Sequence, residues 1–263
     1  MNAIIRDYDL LVDKYHEIEE KSTINEVHDK RVILRRIFSI LVVYKINPAK
    51  LKNGEKAFKL FGKLRDIQVQ ISKLESASQT QELVEYFAFL KQQELKLNEK
   101  VRKFGKKKQL QFPKIKKKGE VDKSKILSKV NKSFTKLVKQ VQLEDIFDAD
   151  DIHQIRIRFK KFRYLVEILA CVERIDKVKL DKLKIYQDQL GEIQDYEILI
   201  NGIKRYCQHK KLVEEIDTEV FEMSQNTLIE SFDGEIESFI EVCRSIIQNN
   251  SDAISLSSVS KGV

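Results

Sequence analysis

The sequence predicts an all-α chain built from two similar halves, and three observations carry that prediction. Helix breakers are scarce: only Pro48, Pro113 and eight glycines punctuate 263 residues, of which 34% are charged. Apolar residues recur at intervals of three and four through most of the chain, the spacing of helices with one buried face. A sixteen-residue passage occurs twice, as EVHDKRVILRRIFSIL from Glu26 and DIHQIRIRFKKFRYLV from Asp151. Such a duplication argues for two similar halves packed into one body.

In the first half, helices are expected over Ala3–Lys21, Thr23–Ile46, Asn53–Glu75 and Gln79–Phe104. Thr23 and Glu26 have the T-x-x-E spacing of a capping box at the start of the second helix. Pro48 and the Asn53-Gly54 pair mark the break that ends it. In the second half, helices are expected over Lys123–Gln142, Asp150–Val172, Lys177–His209 and Lys211–Gln248. Asp148, Asp150 or Asp151 can cap the second of these, and Gly234 can interrupt the last.

The halves, 3–104 and 123–248, are joined by a lysine-rich stretch at 105–122, where Gly105, Pro113 and Gly119 sit among self-repelling lysines; a mobile linker is expected. The tail, 249–263, lacks periodicity and is expected to be disordered.

Charge and cysteine content narrow the function classes. The net charge is +8, yet residues 102–125 alone hold eleven Lys and Arg against two acids, leaving 38 cations facing 39 anions elsewhere. Cationic clusters outside that segment are therefore local arrangements and not a by-product of a basic chain. The first twenty residues carry acids and no uninterrupted apolar run, and the most apolar stretch, 33–44, contains Arg35 and Arg36. Neither a secretory leader nor a membrane span is expected. Cys171, Cys207 and Cys243 are odd in number, widely spaced and without a CxxC pair, which argues against a disulfide framework or zinc site and for the cytoplasm.

Aligning His28 with His153 places Arg31 on Arg156, Arg35 on Lys160 and Arg36 on Lys161. On a helix, positions 3, 7 and 10 after each histidine fall within about 80° of it, so one face collects the cations. That face holds His28, Arg31 and Arg35 in one copy and His153, Arg156, Lys160 and Arg163 in the other; Arg36 and Lys161 flank it. The opposite faces carry Ile33, Leu34, Ile37, Ile40 and Leu41, and Ile155, Phe159, Phe162, Leu165 and Val166, as core.

Each histidine lies near a helix start, where the macrodipole and neighbouring arginines favour a neutral imidazole until an anion arrives. Guanidinium forks and lysine charges at that place suit phosphate oxygens. A single cationic stripe is ordinarily a solvated face held by salt bridges; two in register, each headed by a histidine in a chain with four, point to a bound anion. For each histidine alone, a structural hydrogen bond competes with ligand contact. His16 and His209 lack the context and read as surface residues.

A second duplicated passage, LFGKLRDIQV and QLGEIQDYEI, matches Gly62 with Gly191 and Asp66 with Asp195. Glycine inside a helix costs about 1 kcal/mol relative to alanine, so its repetition predicts close approach of another helix. No metalloprotease, phosphate-loop, nucleophile-elbow or paired metal-ligand motif occurs, and no catalytic residue, metal or cofactor is assigned; Asp66 and Asp195 read as partners for arginines.

The passages VHDKRVILRRIFSIL, HQIRIRFKKFRYLVEIL and YQDQLGEIQDYEIL resemble the CHAD family, the conserved histidine α-helical domain, with both histidine helices and both glycine/aspartate passages in family order over about residues 3–248. The resemblance implies two four-helix bundles related by a pseudo-twofold, with a central basic groove or pore that binds inorganic polyphosphate. It also implies membership of a group of binding modules, with polyphosphate-related proteins as further partners. Carried across, the binding residues are His28, Arg31, Arg35, Arg36 and Arg65 in the first half, and His153, Arg156, Lys160, Lys161 and Arg163 in the second. Phe38 stands where the second copy has Arg163, so the first stripe is one cation poorer.

Two other readings use the same cations. Nonspecific RNA or DNA binding would share the phosphate contacts but ordinarily adds aromatic stacking platforms; Phe159 and Phe162 face the core, there is no tryptophan, and Tyr164 remains as the main aromatic near the second stripe. A helical scaffold docking acidic proteins is the other.

Overall fold

The computed structural model describes residues 3–18, 24–47, 50–75, 80–107, 110–115, 122–142, 147–211 and 216–259, with the side chains of 24, 106–107 and 249–259 left aside. Among the described residues the regular structure is nine helices: α1 (Ala3–Glu17), α2 (Ile24–Val43), α3 (Gly54–Glu75), α4 (Gln81–Lys107), α5 (Lys123–Val141), α6 (Ala149–Ala170), α7 (Lys177–Lys210), α8 (Glu219–Gly234) and α9 (Ile236–Val259). Seven, α1 to α7, match the predicted elements closely; the eighth expected helix, Lys211–Gln248, begins only at Glu219 and is divided into α8 and α9. The ninth arises because the last predicted helix does break at Gly234, where Glu235 N–H bonds the Phe232 carbonyl in a tight turn.

Local chemistry explains the ends. Asp148 caps α6 in a reciprocal capping box, its carboxylate accepting from Asp151 N–H while the Asp151 carboxylate accepts from Asp148 N–H. Asp122 caps α5 through Ser124 N–H. Thr23, the expected cap of α2, lies outside the described residues. At the other end of α2, Lys45 takes a left-handed conformation, and Ile46 and Lys45 N–H reach back to the Leu41 and Val42 carbonyls in a Schellman closure ahead of Pro48. Asn53, also left-handed, turns the chain into α3.

The chain folds into two compact units that are discontinuous in sequence. The first comprises Ile5–Lys116 and Asp195–Gln225, and the second Met1–Ile4, Lys117–Gln194 and Asn226–Val263; α7 runs from one into the other.

In the first unit α2 packs along α3 and α3 along α4. Ile71, Leu74, Tyr86 and Leu90 form a core with Leu199, Ile203 and Tyr206 of α7. Gly202 permits the contact: a Cβ there would run into the Tyr86 hydroxyl and the Gln70 amide, which hydrogen-bond each other in the core.

The second unit packs α5 against α6 and α9. Its centre is aromatic: Phe159 meets Phe239 edge-on with centroids 4.8 Å apart, and Phe239 also contacts Tyr186 and Phe232.

The expected mobile linker is corrected in its middle. Leu110 is buried, Gln111 bridges to Lys52, Tyr8 donates to the Pro113 carbonyl at 2.8 Å, and the Phe112 ring meets Tyr15 and His16 edge-on. Apolar and aromatic side chains at 110–113 thus tie this stretch to α1 despite the surrounding lysines. For the tail, the backbone of α9 is helical to Val259, and the rest of that expectation lies outside the described residues.

Candidate functional site

In the first unit, the buried row of Val27, Leu34, Ile37 and Leu41 fixes how α2 sits, and that orientation decides where its cations go. Arg31 lies over α3. Its Nη1 donates to the Phe58 carbonyl at 3.1 Å and its guanidinium sits 4.7 Å from the centre of the Phe58 ring. Arg35, one turn on, lies 5.4 Å from the same ring. Phe38 meets Phe58 edge-on at 5.8 Å.

Arg65 of α3 is close enough to His28 to depress its proton affinity. His28 is held below its ordinary value of 6.5, first by burial of part of an otherwise exposed ring, then by Arg65, with Arg35 and Arg31 adding and Asp29 opposing. Four predicted residues, His28, Arg31, Arg35 and Arg65, are thus brought together. Arg36 is directed elsewhere: it is half-buried against Asp7 of α1, its Nη2 3.4 Å from both carboxylate oxygens.

In the second unit, Ile155, Phe159, Phe162, Leu165 and Val166 are buried as expected, so α6 turns its cations away from the core. His153 Nδ1 hydrogen-bonds the Gln194 side chain. Arg156 and Lys160 are half-buried and Lys161 is exposed. Arg163 is paired at 2.8 Å with Glu167, one turn later on α6. Arg158, on the flank, donates Nε–H to Gln140 at 2.9 Å.

Two expectations are corrected here. Tyr164 is 4% exposed and supplies no aromatic surface beside the stripe, because α6 rotates it into the core. The repeated glycines do not share one purpose. A Cβ on Gly62 would lie 2.5 Å from Arg31 Nη1, so the approaching group is a side chain, not a helix; at Gly191 nothing stands within 4 Å among the described residues.

Sequence reasoning missed Phe58 and Gln194. Both were locatable in principle, since Phe58 precedes Gly62 by one helical turn and Gln194 aligns with Arg65 in the second duplicated passage. His16, expected at the surface, is exposed but packs edge-on against Phe112.

Among the described residues no cluster of three or more His, Cys, Asp or Glu side chains could hold a metal ion, and no helix is long and apolar enough to cross a membrane. Guanidinium and imidazole groups thus lie together on α2 and α3, and cations line the outer face of α6, groups whose chemistry suits anions.

The family model described as the CHAD domain matches residues 9–201. The chain belongs to the CHAD family. The matched span contains both histidine helices and both glycine/aspartate passages, so every cation of the two faces lies inside the CHAD region. A solved CHAD domain, from the plant Ricinus communis, superposes with a TM-score of 0.62 at 16% identity, over 92% of this chain and 87% of that one. At that identity the likeness shows the fold, which is the all-helical CHAD fold. No curated protein matches the sequence.

Proposed function

We propose that this CHAD chain binds inorganic polyphosphate without transforming it, through the cationic faces of α2/α3 and α6; one groove or pore lined by both is what the family resemblance adds. The observation that carries the reading is the convergence of His28, Arg31, Arg35 and Arg65, with two guanidiniums set on one aromatic ring. A linear polyphosphate offers dense, repeating charge and no bases, and asks for oriented forks and point charges but no stacking surface. Tyr164 is buried, and the Phe58 ring carries arginines, so neither offers a platform to a nucleobase. None of the three cysteines forms a disulfide, which fits a cytoplasmic setting.

The decisive experiment titrates long-chain polyphosphate, short-chain phosphate and single-stranded RNA at one ionic strength. Long-chain polyphosphate is expected to bind tightest per phosphate, with affinity falling as salt rises through counterion release. RNA binding tighter per phosphate would overturn the reading. Charge reversal of Arg156 and Lys160 together should abolish most binding with the helical circular dichroism spectrum intact.

A further inference from the structure

We infer that Phe58 and Gly62 form a seat on α3 that orients the Arg31 and Arg35 guanidiniums toward an anion, making both of them positioning residues. The inference rests on the anion-binding reading of this face.

Two cations one turn apart on α2 repel each other, yet both guanidiniums lie over one phenyl ring, at 4.7 and 5.4 Å from its centre. The negative face of the ring attracts each of them and offsets part of that repulsion. Arg31 is held further by its hydrogen bond to the Phe58 carbonyl, which fixes the rotation of the fork as well as its position. Gly62, one turn along α3 from Phe58, completes the seat: the Nη1 group fills the volume that a Cβ would claim. Gly62 thus leaves room for the tip of an arginine.

Phe38 supports the ring from its edge at 5.8 Å. The residue that makes the α2 stripe one cation poorer therefore holds the platform that orders two others. Restraint matters because an unrestrained arginine gives up side-chain entropy when it is fixed on a ligand, and one held on a ring has already lost part of it.

The full-length chain would be compared with Phe58→Leu, Phe58→Tyr and Gly62→Ala for long-chain polyphosphate affinity, with urea unfolding to register any change in stability. Phe58→Leu should weaken binding by about three- to tenfold, and Phe58→Tyr, which keeps the ring, should stay within about twofold of the parent. The Phe58→Leu loss should shrink to about twofold or less when Arg31 and Arg35 are already glutamine, and persist in full in an Arg156→Gln background. An equal loss in both backgrounds, or none in either, overturns the seat. Gly62→Ala is the second route: it displaces the Arg31 tip without touching the ring and should weaken binding in the same direction.

Arginine 15Nε NMR without ligand separates this from failure of the polyphosphate reading. Restricted Arg31 and Arg35 signals that become mobile in Phe58→Leu support the seat whatever the chain binds. Signals already mobile in the parent overturn it even where polyphosphate binds.

Discussion

The α2/α3 pair and the α6/α7 pair descend from the same sequence pattern and orient their cations by different chemistry. Where the charge of Arg65 lowers the proton affinity of His28, His153 hydrogen-bonds Gln194, the residue aligned with Arg65. Where Arg31 lies on Phe58 and fills the notch at Gly62, the aligned residues are Gln187, whose Oε1 is buried with no hydrogen-bond partner among the described residues, and Gly191, which has open space beside it. Where Phe38 buttresses a ring, Arg163 binds Glu167. Duplication kept the cations in register while the groups that aim them diverged. One unit sets its arginines by stacking; the other uses amide and carboxylate partners. A shared sequence motif is therefore weak evidence that two copies contribute equally.

The largest effect expected from a single change lies behind the stripes. Leu34 and Phe159 are aligned and both fully buried, but Leu34 packs in an aliphatic row and Phe159 in an aromatic cluster with Phe162 and Phe239. Phe159→Ala should cost about 3–5 kcal/mol in urea unfolding and Leu34→Ala about 2–4 kcal/mol. If Leu34→Ala proves the more damaging, the aromatic cluster is not the main support of α6, and the contrast between the units extends less far than their side chains indicate.

What the sequence disclosed follows from which signals are local. Helix faces were legible because a 3.6-residue period states burial directly, and every residue expected behind the two stripes is buried. The Asp148 cap and the Gly234 break were legible because capping and breaking act within a few residues. The Arg36–Asp7 pair was not legible because Asp7 lies 29 residues away on another helix, and only packing brings them together. Tyr164 was misjudged because its position at the edge of the face left a rotation of one helix to decide its burial. Gly62 and Gly191 looked equivalent in sequence, and nothing in either passage reveals that one sits under a guanidinium. Composition hid the anchored centre of the lysine-rich stretch, where Leu110 and Phe112 outweigh their neighbours.

Intermediate effects should come from the acids that restrain the flanking cations. Asp7 holds Arg36 at 3.4 Å with the side chains about a quarter and a third exposed, whereas Glu167 holds Arg163 at 2.8 Å with both about a fifth exposed. The shorter, drier pair is less screened by salt, so neutralising its acid changes the local field more. Glu167→Gln is expected to raise polyphosphate affinity by about two- to fivefold, and Asp7→Asn by about twofold or less, at matched ionic strength. The reverse order would place the working cations of the flank on α2 and not on α6.

The smallest effect is the most informative about the histidines. Because burial, Arg65, Arg35 and Arg31 hold His28 below 6.5, its imidazole is neutral at pH 7, and protonation is resisted more in the folded chain than in the unfolded one. The sign for stability follows: the folded state binds fewer protons, so stability falls as pH drops below 6.5 toward the lowered value. A bound polyanion has the opposite preference. It favours imidazolium, binding takes up a proton at His28, and affinity should rise as pH falls toward the lowered value and level off below it, by at most about tenfold per pH unit for one group. Arg65→Gln puts into the first unit the residue that the second carries at Gln194. In that variant the His28 titration, followed by NMR of the ring Cε1 proton, should move upward but stay below 6.5, since burial, the larger cause, remains. The onset of the pH-dependent gain in affinity should move upward with it, against a uniform loss from the missing cation. A His28 titration unmoved by Arg65→Gln would mean that Arg65 does not face the imidazole, and the contrast between a cation-faced and an amide-faced histidine would fall.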